Sequence, residues 1–227
     1  MAATKQIVCL ANSRKLSGRC IAGIELAANG NPLGWIRPVS DREHEEVSEH
    51  ERQYQDGSDP QVMDVINVPL LSAQPKGYQQ ENWLLDPDQY WTRQKCLPVV
   101  DLARLVTTMP ALWINGQHTK NGQNDLIPLS QIVGIDSSLC LIRVPGLALR
   151  VFAPGHAFGN FKRRVQGQFQ FNGTSYWLWV TDPKVERDFL AKANGEYSMD
   201  ACYLTISLGE AFNDAVYKLI AAVIPLS

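Results

Sequence analysis

The 227-residue sequence has no surplus of positive charge: 21 lysines and arginines stand against 23 acids, a net charge of −2. Domains that hold nucleic acid through bulk charge are usually basic, so any such role here has to come from local clustering. Long apolar runs are missing too. None approaches the roughly 20 residues of a membrane span, and the early "IVCLA" is too short for a signal-peptide core. The expectation is a soluble, cytoplasmic protein with no membrane partner. The five cysteines, Cys9, Cys20, Cys96, Cys140 and Cys202, are scattered and form no C-x-x-C pair. That argues against a disulfide framework and a thiolate zinc site. Cys9, Cys140 and Cys202 lie in apolar runs, where cysteine acts as a small buried hydrophobe. His44, His50, His118 and His156 are dispersed as well. There is no P-loop, no G-x-S-x-G and no H-E-x-x-H. Hence neither metal nor cofactor is expected and no catalytic residue can be named. A cysteine–histidine pair assembled only by folding stays open, but the chain reads less as an enzyme than as a binding protein.

What is present is patterned charge. Residues 1–40 carry Lys5, Arg14, Lys15, Arg19 and Arg37 against Glu25 alone. Residues 41–60 hold eight acids against Arg42 and Arg52, while residues 141–166 carry Arg143, Arg150, Lys162, Arg163 and Arg164 with no acid. Such segregation creates local fields that the net charge conceals.

The secondary-structure signals are mostly β. "KQIVCLA" (5–11), "RCIAGIELA" (19–27), "GWIRPVS" (34–40) and "VMDVINVPLL" (62–71) read as strands, with "NSRKLSG" (12–18) as a turn and 41–54 as a short acidic helix. "LPVVDLARLVTTMPALW" (97–113) has a helical apolar face ended by Pro110. Later, "LCLIRV" and "LALRVFA" flank Pro145-Gly146 as one bent strand. "KRRVQGQFQF" (162–171) alternates, Asn172-Gly173 is a strong hairpin signal, and "TSYWLWVTD" (174–182) returns. Asp182 and Pro183 open a helix, and "CYLTISLGE" (202–210) is a further strand. Residues 215–224 fit either a strand or a helix. Taken as a strand, the order is three strands, a helix and two strands, as in an OB-fold, a five-stranded Greek-key barrel. The fold class is therefore mainly β, a β-rich α+β chain with two OB-like Greek-key barrels: residues 1–75, a partly helical connector at 76–135, and residues 136–227.

"CLANSRKLSGRCIAG", "GWIRPVS", "GYQQENWLL", "FGNFKRRVQ", "LWVTDP" and "YLTISLGE", in this order from Lys5 to Ile224, resemble the bacterial family described as the dual OB-containing domain. The resemblance implies two barrels and, through the fold class, nucleic-acid binding; it brings no catalytic residues.

Several candidate contacts follow. Lys162, Arg163 and Arg164 begin the expected second strand of the second barrel, on the sheet face where OB-folds take oligonucleotides. Lys162 and Arg164 share one face, and Arg163 lies on the side of Val165 and Phe169. These cations suit either phosphates or a solvated strand edge guarded by charge. Arg14, Lys15 and Arg19 offer donors on the loop between the first barrel's initial strands, one of the two loops that commonly shape an OB ligand groove, although the stretch reads equally as a polar hairpin turn. Trp35 and Arg37 share a face on which a base could stack beside a phosphate contact, although tryptophan is as readily a core residue. Trp177 and Trp179 point away from Tyr176, Leu178 and Val180. Gln80, Glu81 and Asn82 read as fasteners of the connector. The leading function is binding of single-stranded DNA or RNA, or of a nucleotide-like ligand. A protein-interaction module of a bacterial defence or DNA-processing system is the alternative, with the acidic run at 41–60 suited to a basic partner. An enzyme on nucleic acid with an unidentified site is a third. No feature bears on oligomeric state.

Overall fold

The structure, a computed structural model, describes residues 3–226. The chain divides into two units, Met1–Leu105 with Asp136–Ser138, and Val106–Ile135 with Leu139–Ser227.

In the first unit β1 (Ala3–Lys15), β2 (Gly18–Leu26) and β3 (Pro32–Val39) are followed by the one-turn helix α1 (Glu49–Arg52), then β4 (Asp64–Ala73), β5 (Asn82–Leu85) and β6 (Thr92–Cys96). The strands run β1-β2-β3-β5-β4, and β1 also pairs with β4, which closes the ring. Only β3–β5 is parallel among these pairs. This is the Greek-key barrel of an OB-fold. Its centre is Ile7, Cys9, Ile21, Ile36, Ile66, Val68, Leu70, Leu85 and Trp91. Gly23 is needed at its position because any side chain there would collide with the Val8 carbonyl across the β1–β2 ladder.

Several expected boundaries move. The β1–β2 hairpin is longer than expected. Asn12, Ser13, Arg14 and Lys15 pair in register with Ile21, Cys20, Arg19 and Gly18, leaving only Leu16 and Ser17 to turn. The acidic helix shrinks to α1, set by a capping box between Ser48 and Glu51. The fifth barrel strand, β5, is drawn from the stretch expected as a connector; its four residues are too short to show a period. The helix expected at 97–113 is a 3-10 segment, Val99–Leu105. Beyond it the chain extends, and the Thr107 amide donates to the Leu141 carbonyl at 2.8 Å.

The second unit contains β7 (Leu126–Pro128), β8 (Leu139–Val144), β9 (Leu147–Phe152), β10 (Arg164–Phe171), β11 (Thr174–Val180), helix α2 (Pro183–Leu190), β12 (Gly195–Met199), β13 (Cys202–Leu208) and β14 (Ala215–Pro225). The order β9-β10-β11-β14-β13-β8 closes because β8 and β9 are the two halves of a strand bent at Pro145-Gly146. β11–β14 is the parallel pair. The ambiguous C-terminal stretch is thus a strand. It has neighbours on both edges and is apolar on both faces, which is why its pattern mimicked a helix. Asn172 (φ 48°) and Gly173 (φ 78°) form the expected turn with both residues left-handed. Asp182 caps α2, its Oδ1 accepting from the amides of Lys184 and Val185, and its Oδ2 accepts from the Val223 amide at 3.2 Å. Gly167 lies where a side chain would collide with Ile220 across the narrow barrel. No helix among the described residues is long and apolar enough to cross a membrane.

Candidate functional site

Strand alternation sorts β9, β10 and β11 into two sets of side chains. Leu147, Leu149 and Val151, Val165 and Phe169, and Tyr176, Leu178 and Val180 all point into the second core. The opposite, outer face carries Arg150 and Phe152, then Arg164, Gln166, Gln168 and Gln170, then Trp177 and Trp179. Register aligns these residues across the three strands. Arg164 pairs with Phe152, and Gln166 with both Arg150 and Trp179.

A four-membered stack results. Phe152 and Trp179 lie with ring centroids 5.7 Å apart and planes 27° from parallel. The Arg164 guanidinium sits 4.0 Å over Trp179, and that of Arg150 sits 4.4 Å over Phe152. Each cation–π contact contributes about 0.5–1 kcal/mol at an exposed site, and together they hold planar groups at fixed heights above the sheet. Arg150 also lies 4.0 Å from Glu196 on β12, a long and exposed pair that neutralises it weakly. Below the stack Gln168 Nε2 donates to Gln166 Oε1 at 3.2 Å, and Gln170 Nε2 donates to Ser175 Oγ. Beside it the 153–163 loop lifts Phe158 and Phe161 to 78% and 67% exposure. His156 makes an edge contact with Phe161, and Lys120 reaches over Phe158.

The expected site residues divide accordingly. Arg164 is in the stack. Trp177 is on the same face, 39% exposed, with backbone bonds to Gln123 in both directions. Lys162 is exposed in the approach to β10. Arg163 departs from the phosphate reading. Its guanidinium donates to the carbonyls of Leu190 and Lys192 and to Asn194 Oδ1, so it closes the C-terminal end of α2. Arg37 departs as well. It is 4% exposed and lies 3.1 Å from Glu81 Oε1, with Nη2 donating to Ser138 Oγ at 2.7 Å. Ser138 Oγ in turn donates to Glu81. A guanidinium enclosed in this way cannot meet a phosphate. Glu81 and Asn82 are the fasteners expected of them. Trp35 is half-buried on β3 opposite Ile24, and Arg14, Lys15 and Arg19 cluster at the tip of the β1–β2 hairpin. These belong to the first unit.

Phe152, Phe158, Phe161 and Lys120 did not stand out in the sequence, and Arg150 did so only as one of the cations of the acid-free stretch 141–166. The missing information was cross-strand register, which alone brings Phe152 beside Trp179.

A family model described as the dual OB-containing domain matches residues 5–223. The chain belongs to that family. Comparison with curated proteins and with solved structures returned no match. Within this dual OB-containing chain Cys9 and Cys140 are poor nucleophiles. Burial pushes Cys9 up to about 12, helped by the charge of Asp64, and raises Cys140 further still, so both remain protonated at neutral pH. Lys218 on β14 is shifted strongly as well. Burial lowers it to about 7, with Asp125 and Cys140 opposing the shift. Its Nζ donates to the Ile114 carbonyl at 2.6 Å and to Asn115 Oδ1 at 2.8 Å, so it anchors the 112–125 segment rather than facing a ligand.

Proposed function

We propose that this chain binds single-stranded nucleic acid on the outer face of β9, β10 and β11. The observation that carries the reading is the Arg150–Phe152–Trp179–Arg164 stack. Both faces of each ring are taken up within the stack, so it offers an unpaired base the outer planes of the Arg150 and Arg164 guanidiniums and the ring edges, and it offers the phosphates the same two cations. Base–aromatic stacking contributes about 1–3 kcal/mol per base, and Trp177 on the same face and Phe158 and Phe161 on the adjoining loop extend the platform. The family supports a binding role through its fold class; the stack is what argues for this ligand. Bulk charge is not required, because Arg150, Arg164 and Lys162 act locally.

The acidic segment supports a basic protein partner less well. Glu51 accepts from Ser40 and Ser48, Glu45 pairs with Lys76, and Asp59 pairs with Arg52. Much of its charge is answered within the fold.

Fluorescence anisotropy with labelled oligodeoxythymidine and oligouridine across a salt series tests the proposal. Three phosphate contacts predict a log–log slope of about −2 for single strands. Replacing Phe152 and Trp179 together by leucine should weaken binding roughly tenfold or more while the far-ultraviolet dichroism stays unchanged. Full affinity in that folded double variant would defeat the assignment.

A further inference from the structure

The 114–125 segment carries a small turn whose position the stack alone does not explain. The Gly122 amide donates to the Thr119 carbonyl at 3.2 Å, closing Thr119–Gly122 as a turn. The buried Asp125 locks it. The Thr119 amide donates to Asp125 Oδ1 at 2.7 Å and the Thr119 hydroxyl to Oδ2 at 2.6 Å. Gly122 packs so tightly on that carboxylate that any side chain would overlap it. Asp125 is itself fixed, since its carbonyl accepts from the Lys218 amide at 2.8 Å. On one side of the turn Gln123 pairs with Trp177. On the other, the Asn121 carbonyl accepts from Gln166 Nε2, which makes that outward-facing glutamine fully buried. The turn therefore stands on the middle of the sheet face and holds the exposed Lys120 5.0 Å from the Phe158 ring.

We propose that this turn is a fixed side wall of the ligand face, that Lys120 is its phosphate-contacting residue, and that Asp125 is the positioning residue that aims it. The proposal rests on the reading of the face as a single-strand site. Two features favour a built wall over a passive loop crossing. Among the described residues Lys120 has no ion-pair partner, and its ammonium rests over the Phe158 ring instead. The turn also sits beside two exposed aromatic groups, Trp177 and Phe158. An ammonium at that height meets the backbone linking bases stacked on either side of it.

Anisotropy of labelled oligodeoxythymidine against the full chain provides the test, with Lys120→Ala, Asp125→Asn, the double variant, and Lys192→Ala as a control away from the face. Lys120→Ala should bind roughly threefold to tenfold more weakly and flatten the salt slope by about 0.7. Asp125→Asn should give a similar loss and faster amide hydrogen exchange at Thr119, while the double variant is no weaker than either single one, because both remove the same contact. If Asp125→Asn fails to fold, the surface variant Lys120→Ala still decides the matter. Wild-type affinity and slope in Lys120→Ala, in a chain that binds and is weakened by Arg164→Ala, would overturn the wall and leave the face intact. Tighter binding by Lys120→Ala would make the turn an obstruction and overturn the wall equally. No binding by the wild-type chain would remove both.

Discussion

The two barrels share one strand order and differ in what they turn outward. In the first, the β1 and β2 residues opposite the core set, Val8, Leu10, Ala22 and Ile24, are as buried as Ile7, Cys9 and Ile21. A 3-10 stretch that buries Leu102 and Leu105 is fastened nearby, with the Leu97 amide on Met63 and Arg104 on the Gly30 carbonyl. The first barrel's cations are largely answered by acids: Lys5 by Glu25, Arg37 by Glu81, Arg52 by Asp59 and Arg93 by Asp64. In the second barrel β9 and β10 turn polar and aromatic residues outward, and Arg150 and Arg164 lie over aromatic rings, Arg150 also 4.0 Å from Glu196. One topology thus yields a barrel apolar on both faces and a barrel with a presenting face. Function follows from the outward residues rather than from the fold.

The sharpest way to break this comparison is at Arg37. Arg37→Met leaves Glu81 buried without its cation, which typically costs about 3–5 kcal/mol. Denaturant unfolding should show that loss, whereas oligonucleotide affinity per folded molecule should hold. A parallel fall in affinity at full folding would mean that the first barrel takes part in the ligand face after all.

Lys218 gives the corresponding stress on the second barrel, through pH. In the unfolded chain the amine keeps its proton up to about 10.5 and in the folded chain only to about 7. Between those values the unfolded state binds more protons, so stability rises with pH. The neutral amine still carries two N–H groups, enough for Ile114 and Asn115, so the 112–125 anchor survives deprotonation. The window to measure is pH 7 to about 8.5, below the ordinary titration of the cysteines near 9. Stability should climb there by at most about 1.4 kcal/mol per pH unit, and Lys218→Met should remove the climb. An identical slope in the variant would mean that the ammonium is not desolvated as described.

Much of this contrast was legible in the sequence. The unbroken apolar run around Val8 and the strict alternation of "VQGQFQF" state which strand is buried on both faces and which on one. Asn172-Gly173 and Asp182-Pro183 mark their turn and cap because their signals are local. What stayed hidden depends on distant partners. Arg37 reads as a surface cation until β5 brings Glu81 against it. Phe152 is an ordinary strand residue until register sets it on Trp179. β5 has four residues and no period of its own, so its place in the barrel rests on pairing alone. The Thr119–Gly122 turn carries ordinary loop residues, and only Asp125 beneath it gives Lys120 a fixed position.

Adjacent residues offer the finest discrimination between scaffold and surface. Arg163 and Arg164 have the same side chain and opposite directions, one onto the end of α2 and one onto Trp179. Arg163→Ala removes hydrogen bonds to two carbonyls and to Asn194 and should lower stability by about 1 kcal/mol, with affinity for a single strand unchanged. Arg164→Ala should lower stability by about 0.5–1 kcal/mol through its contact on Trp179 and, unlike Arg163→Ala, should also lower affinity and flatten the salt slope by about 0.7. Chain position is held constant in this pair, so only side-chain direction differs. If the two variants behaved alike, alternation would not be what separates structure from binding on this sheet, and the difference drawn between the barrels would lose its physical basis.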